Sequence, residues 1–150
     1  MATIPRDRHP TAFTLLEMAV ALTLFGLGIV VLLGAARGQL DRMAVLGGRE
    51  AVAGLFHRAR QTAIARGGAG VILTADPPTA SLVVEGDTLA TTNLEDAFGV
   101  ALELSGGRSR ARLLFGPLGL GQVASQTLRF RRGGAEARLV VSSLGRVARR

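Results

Sequence analysis

Glu17 is the residue whose position most needs a chemical explanation. It follows Ala12-Phe13-Thr14-Leu15-Leu16 and precedes nineteen uncharged, mostly apolar residues, Met18 to Ala36. A charge at the centre of a membrane-inserted helix costs about 2.5–3.5 kcal/mol, so intramembrane carboxylates are normally kept beside a partner. An isolated helix offers Glu17 none, which points to a cation supplied from elsewhere. Other chemistry is hard to assemble from this chain. His9 sits in the short leader and His57 beside Arg58, so no His pair is placed to hold a metal. The acids between Val71 and Gly107 lack the Asp-x-Asp-x-Asp-Gly spacing of a calcium loop, and no Gly-rich stretch ends in Gly-Lys-Ser/Thr. Ser142 and Ser143 have no neighbouring His to act as base, and there is no Cys for thiolate or disulfide chemistry. Neither an enzyme nor a cofactor is expected.

The elements that must position Glu17 follow from the apolar pattern. Residues 1–12 form a charged leader in which Arg6, Arg8 and the terminal amine outweigh Asp7, a flank expected to stay cytoplasmic. Residues 13–36 are long enough to span a bilayer, which takes about 20 residues. Residues 37–68 continue without a stop but turn amphipathic. Val45, Val52, Leu55, Phe56, Ala59, Ala63 and Ile64 share a face, with Arg42, Arg49, Arg58 and Arg60 mostly off it. One helix from about Phe13 to Arg66 is therefore expected, stopped at Gly67-Gly68. At about 1.5 Å per residue it would be roughly 80 Å long.

Residues 69–150 read as a β-rich domain. Gly70–Ala75 and Ala80–Glu85 flank the turn Asp76-Pro77-Pro78-Thr79, and Thr127–Arg132 and Ala135–Ser142 flank Gly133-Gly134. Val100–Leu104 and Arg110–Phe115 are further short strands, while Gly86–Gly99 reads as a polar excursion and Gly116–Gln126 as a loop. The expected fold class is α+β, a lollipop whose long N-terminal transmembrane and amphipathic helix packs on a small antiparallel β-sheet. Charge is segregated along the chain. Val71–Gly107 holds six acids and no Arg; Arg108–Arg150 holds ten Arg and one acid, Glu136. Such a layout lets the halves pair, within the fold or between subunits, or presents a basic face to a polyanion.

The segment Ala12–Glu17 resembles the class III signal of type IV pilins and type II secretion pseudopilins: a small residue, Phe, Thr, two aliphatics, Glu, then the apolar run. That resemblance implies cleavage between Ala12 and Phe13 by a prepilin peptidase, methylation of the new Phe13 amine, and Glu17 as the assembly residue. The family usually has Gly before the cut; Ala is the next smallest side chain, so processing is expected to survive at a lower rate. Further on, Leu55–Gly67, Phe115-Gly116-Pro117-Leu118-Gly119 and Val140–Val147 resemble the helix end, the Phe-Pro-Gly element and the C-terminal strand of GspH/FimT-type minor pseudopilins.

The residues and the resemblance converge on an assembly subunit. Cleavage would create the missing cation, the Phe13 amine. Within one chain that amine lies at the positive end of its own helix dipole, so Glu17 of a neighbouring subunit is the better partner. The expected function is that of a minor pseudopilin in a type II secretion pseudopilus, single-pass in the bacterial inner membrane with its C-terminal domain in the periplasm. Its expected partners are other pseudopilins or pilins and the prepilin peptidase. The alternative is a FimT-like minor type IV pilin that binds DNA for uptake. Such relatives carry a Gly-Arg-x-Arg tail; here Gly145-Arg146-Val147-Ala148-Arg149-Arg150 displaces the second Arg by one position. Arg146, Arg149 and Arg150, extended by Arg131 and Arg132, are the candidate DNA contacts, expected to read phosphates rather than bases.

Overall fold

A computed structural model describes residues 14–122 and 125–150. Ala12 and Phe13 lie outside the described residues. The first element, α1, runs Leu15–Arg66, 52 residues without a break. It starts where a side chain can satisfy an otherwise unpaired amide, since the Thr14 hydroxyl accepts the Glu17 N–H at 3.1 Å. Thr-x-x-Glu is the capping-box spacing, so Glu17 occupies the first turn of the helix. Within the apolar stretch the Thr23 hydroxyl donates to the Ala19 carbonyl, so that polar group is satisfied on its own helix. The helix ends at Arg66 because Gly67 turns to φ +84°, a left-handed conformation that Gly adopts readily.

Two compact units divide the chain, Met1–Ala36 and Arg37–Arg150. In the first, the described residues are helical from Leu15 on and every side chain is exposed. This part of α1 is long and apolar enough to cross a membrane, with a mean hydropathy of 2.5 over an 18-residue window.

The second unit contains the core. Its strands are β1 (Ala69–Ala75), β2 (Pro78–Val84), β3 (Asp87–Asn93), β4 (Ala101–Leu104), β5 (Arg110–Phe115), β6 (Gln126–Arg132), β7 (Ala135–Val141) and β8 (Val147–Arg149), with a short helix α2 (Leu94–Phe98). They form two four-stranded antiparallel sheets rather than one, ordered β3-β2-β1-β5 and β4-β6-β7-β8. The amphipathic part of α1 supplies Val45, Val52, Phe56, Ala59 and Ala63, which share one buried core with Val71 and Leu73 of β1 and with Leu128, Phe130, Leu139 and Val141 of β6 and β7. Phe56 meets Phe115 of β5 edge-on, ring centroids 6.4 Å apart. Ala53, Ala59 and Ala63 are fully buried, and Gly47 lets the Phe98 ring approach so closely that a Cβ there would lie 3.1 Å from it.

Three parts of this unit depart from the sequence-based expectation. The polar stretch Gly86–Gly99 is ordered as strand β3 and helix α2. Glu85 and Gly86 both take positive φ, giving the tight turn that joins β2 to β3. Asn93 then caps α2 by accepting the amides of Glu95 and Asp96. β3 is a mostly exposed strand at a sheet edge, so it has no apolar alternation to betray it. The basic tail is likewise a strand: β8 pairs with β7, and Arg150 exchanges backbone hydrogen bonds with Arg138 at 2.9 and 3.0 Å. Finally, Ile64 stays 56% exposed, and Ala53 takes a core place instead.

Candidate functional site

Glu17 sits at the third position of α1, exposed and flanked in sequence by the exposed apolar residues Leu15, Leu16, Met18 and Val20. The positive end of the helix dipole favours a carboxylate there by about 0.3–1 kcal/mol. That is well short of the cost of about 2.5–3.5 kcal/mol for a deeply inserted charge. The difference leaves room for a cation, and none occurs between Thr14 and Ala36.

The candidate basic residues prove to be spread over the unit. Arg132, next to the Gly133-Gly134 turn, pairs with Asp41 of α1 at 3.0 Å and donates to the Phe98 carbonyl, so it ties α1, α2 and β6 together. Gly133 lies directly against the Asp41 carboxylate and has φ +53°, so a side chain there would be strained and would push the carboxylate aside. Arg131 pairs with Glu103 of β4 at 2.8 Å and with Glu136 of β7 at 3.6 Å, and the Glu103 hydrogen bond holds its guanidinium above the ordinary pKa. Arg149 donates to both Glu50 oxygens, at 3.0 and 2.9 Å, clamping β8 to α1. That bond is the main reason the Glu50 carboxyl titrates below its ordinary 4.5, with Arg49 adding to it and desolvation opposing. Glu136 is lowered in the same sense, chiefly by its hydrogen bond from Arg138.

Position separates these residues as well as pairing. Arg132 lies opposite Ala135 at one end of β7, whereas Arg146 follows Val141 at the other, about 20 Å away at roughly 3.3 Å per residue. The structure therefore brings Arg149 to Glu50 and Arg131 to Glu103, but does not gather the five candidates into one patch. Arg146 and Arg150 take part in no ion pair among the described residues. Sequence reasoning passed over two features. His57 and Arg60 line a cleft with Leu144 and Arg146. Arg108, Arg110 and Arg112 are all exposed on or beside the outer strand β5. The alternation Arg108-x-Arg110-x-Arg112 was the available signal for the second; nothing local could pair α1 with the β7–β8 turn. No group of three or more metal-ligating side chains occurs among the described residues.

The prokaryotic N-terminal methylation motif matches residues 8–33 of the chain. The fold is that of type IV pilin-like proteins. It is similar to the type IV minor pilin FimU of Pseudomonas aeruginosa strain PAO1, with a TM-score of 0.58 at 16% identity over 73% of this chain and 90% of that one. It is also similar to the minor pseudopilin EpsH from the Type 2 Secretion System of Vibrio cholerae, with a TM-score of 0.53 at 15% identity over 71% and 95% of the two chains. No curated protein matches the chain. The motif thus covers the head of α1, and the likeness to FimU and EpsH is one of fold.

Proposed function

We propose that this chain is a minor subunit of a type II secretion pseudopilus, held in the inner membrane by residues 13–36 with Arg37–Arg150 in the periplasm. In this reading prepilin peptidase cuts between Ala12 and Phe13. The single observation that carries it is Glu17, a lone carboxylate in the first turn, capped by Thr14, of a membrane-length apolar helix. Cleavage places a new amine on Phe13, and Glu17 of the adjoining subunit receives it. The apolar side chains of residues 15–36, all exposed, supply the contact area between helices. Secretion is favoured over DNA uptake because Arg131, Arg132 and Arg149 already hold parts of this domain to one another.

The test is Glu17→Ala in a host that carries the other fibre subunits. The variant still enters the membrane fraction, because a charge has been removed, but crosslinking to neighbouring subunits is lost. Normal incorporation would assign the carboxylate another role.

A further inference from the structure

Two surfaces of the Arg37–Arg150 unit carry groups that the unit itself leaves unused. The first is a cleft of about 380 Å³ between α1 and the β7–β8 turn, lined by His57 and Arg60 on one side and by Leu144 and Arg146 on the other. Neither Arg60 nor Arg146 joins an ion pair among the described residues. The turn is fixed in place. The Ser142 N–H donates to the Arg146 carbonyl at 2.9 Å, the Gly145 N–H to the Ser142 carbonyl at 2.9 Å, and the Arg146 N–H to the Ser142 hydroxyl at 3.0 Å. Gly145, at φ +80°, packs so tightly that a Cβ there would lie 2.6 Å from the Phe115 ring. This rigid turn holds Leu144 out at 67% exposure. A preorganised apolar side chain beside Arg side chains that join no ion pair loses little entropy when a partner covers it.

The second surface is the β3 edge of the first sheet. The β2–β3 register slips between Leu82 and Val83, whose partners are Ala90 and Thr88, so Leu89 is the extra residue of a bulge. Bulges at sheet edges re-aim side chains. Here the bulged Leu89 is 49% exposed, two residues from Asp87 and close in sequence to Glu85. Neither acid is in an ion pair among the described residues. Glu85 shares a pocket of its own copy with Arg66 and Arg112 but forms no ion pair with either, and the β3 edge itself lies apart from the cleft turn. Phe115, which abuts the cleft turn, ends β5, and β5 is at the opposite edge of the sheet from β3. Three strand spacings, about 14 Å, separate those edges.

We propose that the β3 edge of one copy docks in the α1/β7–β8 cleft of a second copy, with Asp87 and Glu85 facing Arg60 and Arg146 and Leu89 covering Leu144. Charge complementarity and the pairing of one exposed Leu with another select this occupant. A phosphate backbone would engage the cations and leave Leu144 bare. Because the two faces differ, the contact is head-to-tail.

The chain has no Cys, so introduced thiols report one contact unambiguously. Full-length Leu89→Cys and Leu144→Cys chains are mixed in detergent and oxidised. The mixed disulfide dimer should dominate over either self-dimer. Adding Arg146→Glu to the Leu144→Cys chain should lower its yield about tenfold, a typical effect of setting like charges against each other. Adding Asp87→Arg to the partner should restore it. Arg60→Glu repeats the test from α1, and an unchanged thermal melt for each charge variant excludes misfolding as the cause. Dominant self-dimers, a yield indifferent to both charge reversals, or a reversed pair no better than the single reversal would overturn the proposal. So would loss of the mixed product on adding a short DNA duplex at physiological salt, which would assign the cleft to phosphates.

Discussion

The two halves of α1 are one continuous helix governed by different physics. From Leu15 to Ala36 every residue is exposed, and most of that surface is apolar. From Val45 to Ala63 one face is buried and sheets fill the space against it. The first half therefore depends on a lipid bilayer or neighbouring helices, where small residues and one charge set the contacts. The second half makes its own stability by burying apolar surface in water. Substitutions should divide accordingly, stability effects falling in one half and assembly effects in the other.

The largest stability effect should come from the core. Phe130 is fully buried on β6, and Phe130→Ala should cost about 3–5 kcal/mol of unfolding free energy, read by thermal or denaturant melts. It should leave membrane insertion untouched. A protein equally stable without that ring would place the core elsewhere.

A smaller effect is expected at the Glu50–Arg149 clamp. Both side chains are close to half exposed, at 45% and 46%, so the pair is screened and Glu50→Gln should cost only about 0.2–1 kcal/mol at pH 7. The Glu50 carboxyl is depressed in the folded state, so its contribution is present above the ordinary value of 4.5 and lost as pH falls through the lower folded value. Melts of wild type and Glu50→Gln should thus differ at pH 7 and converge as pH falls through the lowered folded value of the carboxyl. Hydrogen exchange should show β8 opening more readily in the variant at pH 7. A difference that persists in acid would mean the carboxylate is not the cause.

The smallest stability effect belongs to the first half. Val31 is 72% exposed, and Val31→Ala should change the melt by less than about 0.5 kcal/mol. Any loss should appear in fibre incorporation alone. A large shift in the melt would show that this segment packs on its own chain.

How far the sequence could be read follows the same division. The Glu17 signal, the helix stop at Gly67 and the Gly133-Gly134 turn are local, set by residue type and short spacing, and were legible. So was the α1 core face, except that Ile64 is exposed and Ala53 is buried. β3 was not, because an edge strand of Thr and Asp lacks the apolar alternation that marks buried strands. The split into two sheets, the folding of Val147–Arg149 onto β7, and the pairing of Arg149 with Glu50, 99 residues apart, were hidden because they depend on long-range contacts. The basic residues looked like one surface in the sequence for the same reason.

The central claim is that residues 13–36 are kept in the mature chain as an assembly helix. Intact mass and N-terminal sequencing of the protein from a host with prepilin peptidase test it most directly. The expected product begins at Phe13, carries one added methyl on its amine, and retains Glu17 five residues in. A product beginning after Ala36, or one that keeps Met1–Ala12 in full, would contradict the account.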